Sequence, residues 1–342
     1  MKTFIYKADH EHIGQAAELL RKGEVVAVPT ETVYGLAANA FDTRAVAKIF
    51  TAKGRPQDNP LILHISDFSM LDDIAEEIPE LAKKLAEEFW PGPLTMIFPR
   101  KSIVPAETCG GLDTAAVRMP RQEFTRELIR KCGFPLAAPS ANTSGLPSPT
   151  SAVHVFEDMN GKIPLIMDGG ECACGVESTV IAFENDGVRV LRPGAVTPEM
   201  LREYAEVTVD SGVLQKLDPN ARVFSPGMKY KHYSPKAEVY IADGTAEQLY
   251  AYLKSRSDGK TAVLCGENDE IPDFCIRLPY GSTPEQQAEH LFASLREADA
   301  LGCDAVYVMM PEQTGMGLAV YNRLLRAAAF RVIKLYEQGE RS

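Results

Sequence analysis

Residues Pro29–Ile65, PTETVYGLAANAFDTRAVAKIFTAKGRPQDNPLILHI, set a polar, Gly- and Asn-containing loop, a short helix and a basic turn between two apolar strands. Val25–Val28 and Leu61–Ile65 read as buried strands, because short apolar runs rich in branched residues and bounded by Pro or Gly suit strands better than helices. Between them Asp42 can cap a helix whose apolar face is Ala45, Val46, Ile49 and Phe50, and Gly54 stops it. That helix delivers Lys53 and Arg55 to its C-terminal end, beside the strand that carries His64.

A pair of cations at a helix C-terminus has an ordinary explanation, since the helix dipole favours positive charge there. Here the surroundings point further. Pro56, Asn59 and Pro60 stiffen the turn, and Thr30, Glu31, Thr32 and Tyr34 crowd hydrogen-bonding groups at the end of the preceding strand. Open α/β sheets bind ligands beyond the carboxyl ends of their strands, where both clusters fall.

The 342 residues suggest two domains, and 45% hydrophobic with 24% charged residues describes an ordinary globular chain. No leader-like apolar segment follows Met1 and no window stays apolar long enough to span a bilayer, so a cytoplasmic protein is expected. Seven cysteines, an odd number with no CxxC pair, argue against a disulfide framework and a structural zinc site. A net charge of −11 gives no overall field for gripping nucleic acid, so strong direct binding is not expected. Against that acidity Lys53, Arg55, Arg118, Arg121, Arg192, Lys229 and Lys231 form a local basic feature.

Along the chain, strands are expected at Leu94–Phe98, Ala115–Met119, Pro135–Ala138, Pro164–Met167, Ser178–Phe183 and Val188–Leu191, the last two forming a hairpin. Helices are expected over His12–Lys22, Pro79–Phe89, Glu123–Lys131 and from Thr197 to about Ala205. Residues 206–236 read as a linker rich in Pro, Gly, Lys and Tyr. Beyond it Glu238–Ala242, Thr245–Ser255, Thr261–Cys265, Pro284–Leu301, Ala305–Met310 and Gly317–Ala329 alternate strand and helix, which implies a small parallel sheet covered by helices. That part has neither GxGxxG nor GxxxxGK[ST].

The segments PTETVYGL, KGRPQDNPL, WPGPLT, GLDTAAVRMP, APSAN and GVESTV, in this order, resemble the YrdC-like domain of threonylcarbamoyl-AMP synthases, and SPGMKYKHYSP with the residues after it resembles the longer, two-domain members. The resemblance implies a twisted mixed sheet with a concave basic cavity over residues 1–205, a linker or lid over 206–236, and a Rossmann-like parallel α/β domain over 237–342. It implies a nucleotidyltransferase that turns L-threonine, bicarbonate or CO2 and ATP into L-threonylcarbamoyl-AMP and pyrophosphate, with Mg²⁺ assisting. The product would pass to a transferase complex that modifies position 37 of ANN-decoding tRNAs.

By carry-over, Thr32, His64, Arg118, Ser178 and the backbone at Ala138 would hold threonine; Lys53, Arg55, Ser140 and Asn142 would be catalytic. Arg55, Asn59, Thr114, Ser140, Ser148, Arg192 and Pro226 would hold ATP, while the metal ligands are unassigned. Where the family loop reads GLGANA, this chain has Ala37. Glu31 and Glu177 could orient cations, and neither Ser140 nor Ser178 lies in the GxSxG of a serine hydrolase. The segment Ser225–Pro235, with Lys229, Tyr230, His232 and Tyr233, is expected as a lid over the phosphates, or else as a domain-docking segment. The competing reading of the whole is a non-catalytic nucleotide- or RNA-binding module using the same basic surface.

Overall fold

The computed structural model describes residues 1–57, 59–185, 187–215, 233–255 and 259–337. The chain divides into two compact units, Met1–Ser144 with Ser148–Lys229, and Tyr230–Ser342 with the short segment Gly145–Pro147.

The first unit is built on β1 (Phe4–Lys7), β2 (Val26–Val28), β3 (Gly35–Asn39), β4 (Ile62–His64), β5 (Leu94–Pro99), β6 (Thr114–Arg118), β7 (Leu136–Ala137), β8 (Leu165–Asp168), β9 (Thr179–Glu184), β10 (Gly187–Arg192) and β11 (Glu206–Val209). These form one twisted mixed sheet in the order β1-β8-β2-β3-β7-β4-β6-β5-β9-β10-β11. Its helices are α1 (Ile13–Arg21), α2 (Thr43–Lys53), α3 (Leu71–Ile74), α4 (Glu80–Phe89), α5 (Glu123–Cys132), α6 (Ala152–Met159) and α7 (Pro198–Leu201). Alternate residues of the central strands enter different cores: Val26, Val28, Leu165 and Met167 pack with the apolar faces of α1 and α5, while Ala27, Leu36 and Ile166 join that of α2. Burial on both faces is why these strands read as continuous apolar runs.

In α2 the Asp42 side chain accepts from the amides of Arg44 and Ala45, and Gly54 closes the helix in the left-handed conformation at φ +63°. The loop expected between Val28 and this helix instead contains β3, antiparallel to β2. Its GLAAN sequence lacks β-branched residues because space decides there: a Cβ on Gly35 would sit 3.2 Å from Ala138 Cβ. The helix begun at Thr197 ends at Leu201 rather than near Ala205, and Glu206–Val209, expected in the linker, pairs with β10 as a parallel edge strand.

The second unit holds β12 (Glu238–Asp243), α8 (Ala246–Lys254), β13 (Thr261–Cys265), β14 (Ile276–Pro279), α9 (Pro284–Ala300), β15 (Ala305–Met309), α10 (Gly315–Ala327) and β16 (Val332–Lys334). The strands lie in the order β14-β13-β15-β12-β16, and every described pairing is parallel. Thr245 and Thr283 begin α8 and α9 with capping boxes closed by Gln248 and Gln286. Tyr233 belongs to this unit. It is buried at φ +62°, and its ring packs 5.2 Å from Phe292 of α9 and 5.8 Å from the Arg323 guanidinium of α10. Pro226, Lys229, Tyr230 and His232 lie outside the described residues. Among the described residues no helix is long and apolar enough to cross a membrane.

Candidate active site

Strand pairing places His64 and Arg118 side by side, since β4 and β6 run parallel with these two residues in register at their carboxyl ends. β7 runs antiparallel to β4, pairing Leu63 with Ala137, and then feeds Pro139-Ser-Ala-Asn142, whose Ser140 bridges to Gly35. Because β4 and β7 are three and two residues long, groups at opposite ends of this ladder stay close, at roughly 3.3 Å per residue.

Arg118 is buried and held on three sides. Its Nε donates to Gly92 O at 3.2 Å, Nη1 donates to Thr32 Oγ1 at 2.8 Å, and Nη2 faces Glu31 Oε1 at 2.7 Å. Thr32 Oγ1 is in turn 2.8 Å from Thr30 Oγ1. His64 Nδ1 lies 3.2 Å from Ile62 O, which fixes the tautomer with the proton on Nδ1 and leaves Nε2 an acceptor. Burial, reinforced by the Arg118 guanidinium, lowers its pKa to about 3, so the imidazole is neutral at physiological pH. The amide of Ala138 is engaged with Ile62 O at 3.0 Å.

Lys53, expected among the catalytic residues, is turned inward. It is 2% exposed, and its Nζ donates to Ser140 O at 2.5 Å and Asn142 O at 2.8 Å, with Asn142 Oδ1 at 3.4 Å. The ammonium therefore builds the Ser140–Asn142 loop from inside. Burial and the nearby Arg55 charge hold its pKa well below the ordinary lysine value, while Asp158 and Glu177 oppose that shift. Three oxygens around one Nζ favour the charged form as well.

On the other flank Ser178 Oγ is 2.8 Å from Thr95 Oγ1, and Arg192 donates to Ser178 O at 3.0 Å and to Ser178 Oγ at 3.1 Å. Ser148 Oγ donates to Glu177 Oε1 at 2.5 Å, both residues being buried. Asn59 is also buried, just past the half-buried Arg55. Thr114 opens β6 four residues before Arg118, about 13 Å along the strand, and lines a cavity of about 320 Å³ with Phe98, Phe183 and Arg189. Of the two acids read as able to orient cations, Glu31 lies on Arg118 and Glu177 accepts from Ser148; each stands one residue before a candidate, Thr32 and Ser178.

The assembly offers a guanidinium beside a neutral acceptor imidazole, small hydroxyls, two amides and further cations. Such an inventory suits carboxylate and phosphate recognition rather than attack by a protein nucleophile. Among the described residues no group of three or more His, Cys, Asp or Glu could hold a metal ion.

Residues 18–194 match the family model for Sua5, YciO and YrdC proteins, described as telomere recombination, and residues 196–329 match the model for the threonylcarbamoyl-AMP synthase C-terminal domain. The chain is 47% identical to the threonylcarbamoyl-AMP synthase of Pyrococcus abyssi, over 94% of this chain and 95% of that one. It is 45% identical to the Bacillus subtilis enzyme of the same name, over 94% of each. The solved structure of P. abyssi Sua5 complexed with L-threonine superposes with a TM-score of 0.88 at 45% identity, over 97% of this chain and 98% of that one. With both domain models matched in order and full-length relatives this similar, the chain belongs to the two-domain threonylcarbamoyl-AMP synthase family of enzymes.

Proposed function

We propose that this chain is an ATP-dependent nucleotidyltransferase of the cytoplasm that makes L-threonylcarbamoyl-AMP and pyrophosphate from L-threonine, bicarbonate or CO2 and ATP. The observation that carries the reading is the fixed triad of Arg118, Thr32 and neutral His64 beside the Lys53-built loop Ser140–Asn142. In this reading Arg118 takes the α-carboxylate as a fork, and His64 Nε2 accepts a hydrogen bond from the side-chain hydroxyl. The P. abyssi relative crystallised with L-threonine supports the choice of amino acid.

The amine adds to CO2 and loses a proton, giving a carbamate. A carbamate oxygen then attacks the α-phosphorus of ATP, and pyrophosphate leaves. Such displacement depends on positioning and on neutralising charge along the polyphosphate. Arg55 and Arg192 are the cations for that task, with Ser140, Asn142, Asn59 and Ser148 as polar contacts. The buried Lys53 acts by holding the loop in place. The carboxylates of the site are engaged with Arg118 and Ser148, so Mg²⁺ would enter on the phosphates, where it shields charge, rather than in a protein cage.

The product is the activated intermediate for threonylcarbamoyladenosine at position 37 of ANN-decoding tRNAs, and its acceptor is a separate transferase complex. A chain with net charge −11 fits an indirect link to RNA. Incubation with ATP, labelled bicarbonate and threonine should release pyrophosphate and yield a labelled adenylate. Nucleotide binding without pyrophosphate release would make the chain a binding module instead.

A further inference from the structure

The Arg118–Glu31 pair is built differently from a structural ion pair. Nη2 and Oε1 approach to 2.7 Å with side chains 4% and 9% exposed, yet the contact misses the alignment of a hydrogen bond, and both buried atoms lack a hydrogen-bond partner. Each residue is fixed by other means. Glu31 Oε2 accepts the Arg121 amide at 3.0 Å, and Glu31 O accepts the Cys174 amide at 2.8 Å. Arg118 is held by Gly92 O and Thr32 Oγ1. Arg–carboxylate pairs frequently close into two parallel N–H···O bonds. Here the guanidinium and the carboxylate are held in ionic contact at 2.7 Å without a directed hydrogen bond between Nη2 and Oε1.

We propose that Glu31 is a further substrate-binding residue, which reads the α-ammonium of the amino acid while Arg118 reads its carboxylate. The inference rests on the proposed threonine site and adds to it the selection of an α-amino acid over an amine-free hydroxy acid. An α-amino acid carries its two opposite charges one carbon apart, so a single ligand can satisfy Nη2 and Oε1 together. Beside it, His64 has its Nδ1 engaged by Ile62 O and is neutral, so Glu31 is the carboxylate that lies on Arg118.

The test is calorimetric titration of the full chain, without ATP, with L-threonine and with 3-hydroxybutyrate, which is threonine lacking its amine. Wild-type protein should prefer threonine. Glu31→Gln should weaken threonine roughly 10- to 100-fold, the scale of a hydrogen bond to a charged group, and leave 3-hydroxybutyrate within about twofold. Glu31→Asp, which keeps the charge one methylene back, should fall between, and it serves in place of the glutamine variant should that fail to fold. Equal weakening of both ligands would make Glu31 a prop for Arg118 and overturn the proposal, as would unchanged threonine affinity. Wild-type protein that binds no threonine would instead overturn the site reading beneath it.

Discussion

Both units bury arginine, but they do so in different places. In the first, Arg118 and Arg192 end strands β6 and β10, and each is held by carbonyls and hydroxyls supplied by neighbouring segments. In the second, both lie on α10, Arg323 within it and Arg326 in its last turn, where Arg323 donates to Asn322 Oδ1 at 2.9 Å and packs by Tyr233, and Arg326 lies 5.0 Å from the Phe330 ring. Charge at a strand end is fixed by groups from several neighbouring segments. On α10 the described contacts of the two arginines are with Asn322, Tyr233 and Phe330 of the same unit. The difference lies in what holds the charge: backbone and hydroxyl groups from several segments in the first unit, an amide and aromatic rings in the second.

Arg118→Ala should break that contrast most severely. It strands the Glu31 carboxylate in a buried setting, and removing one partner of a buried pair costs about 3–5 kcal/mol. Urea unfolding should show this loss together with loss of threonine binding; near wild-type stability would mean that the pair is not buried as described.

His64 sharpens the contrast through pH. Its folded pKa of about 3 lies below the ordinary 6.5, so folding excludes a proton that the unfolded chain accepts. The stability is present above pH 6.5 and falls as pH drops from there toward 3. Between pH 6.5 and 4, wild type should lose about 3 kcal/mol more than His64→Gln. Parallel pH profiles for the two proteins would refute the depressed pKa.

Lys53→Met keeps the volume and removes the donors. It should cost about 1.5–3 kcal/mol in stability through the lost charge-assisted bonds, and lower adenylate synthesis as the Ser140–Asn142 loop loosens. Full stability with lost turnover would restore Lys53 as a ligand contact only. The smallest effect belongs to the second unit: Thr283→Ala opens the capping box of α9 and should cost about 1 kcal/mol, seen as a lower melting temperature with an unchanged KM for threonine. A raised KM would show that the second unit takes part in substrate binding.

Much of this was legible in residues 29–65. Asp42 and Gly54 are local signals, and they bound α2 as expected because capping depends on two or three neighbouring residues. The β3 strand was not legible, since GLAAN is selected for thinness against Ala138, a residue about a hundred positions away. The edge strand Glu206–Val209 was hidden for the opposite reason: its residues are mostly exposed, and only pairing with β10 makes them a strand.

The sequence by itself determined the family, the two α/β units and the set of polar residues from which a site could be made, because motifs and periodicity are properties of neighbouring positions. Only the tertiary structure decided how those residues divide the work. Lys53 turned inward to build a loop, Tyr233 packed against Phe292, and Glu31 came to face Arg118. Each of these rests on a meeting of side chains distant in sequence, and such meetings are set by sheet order and register, which no single segment encodes.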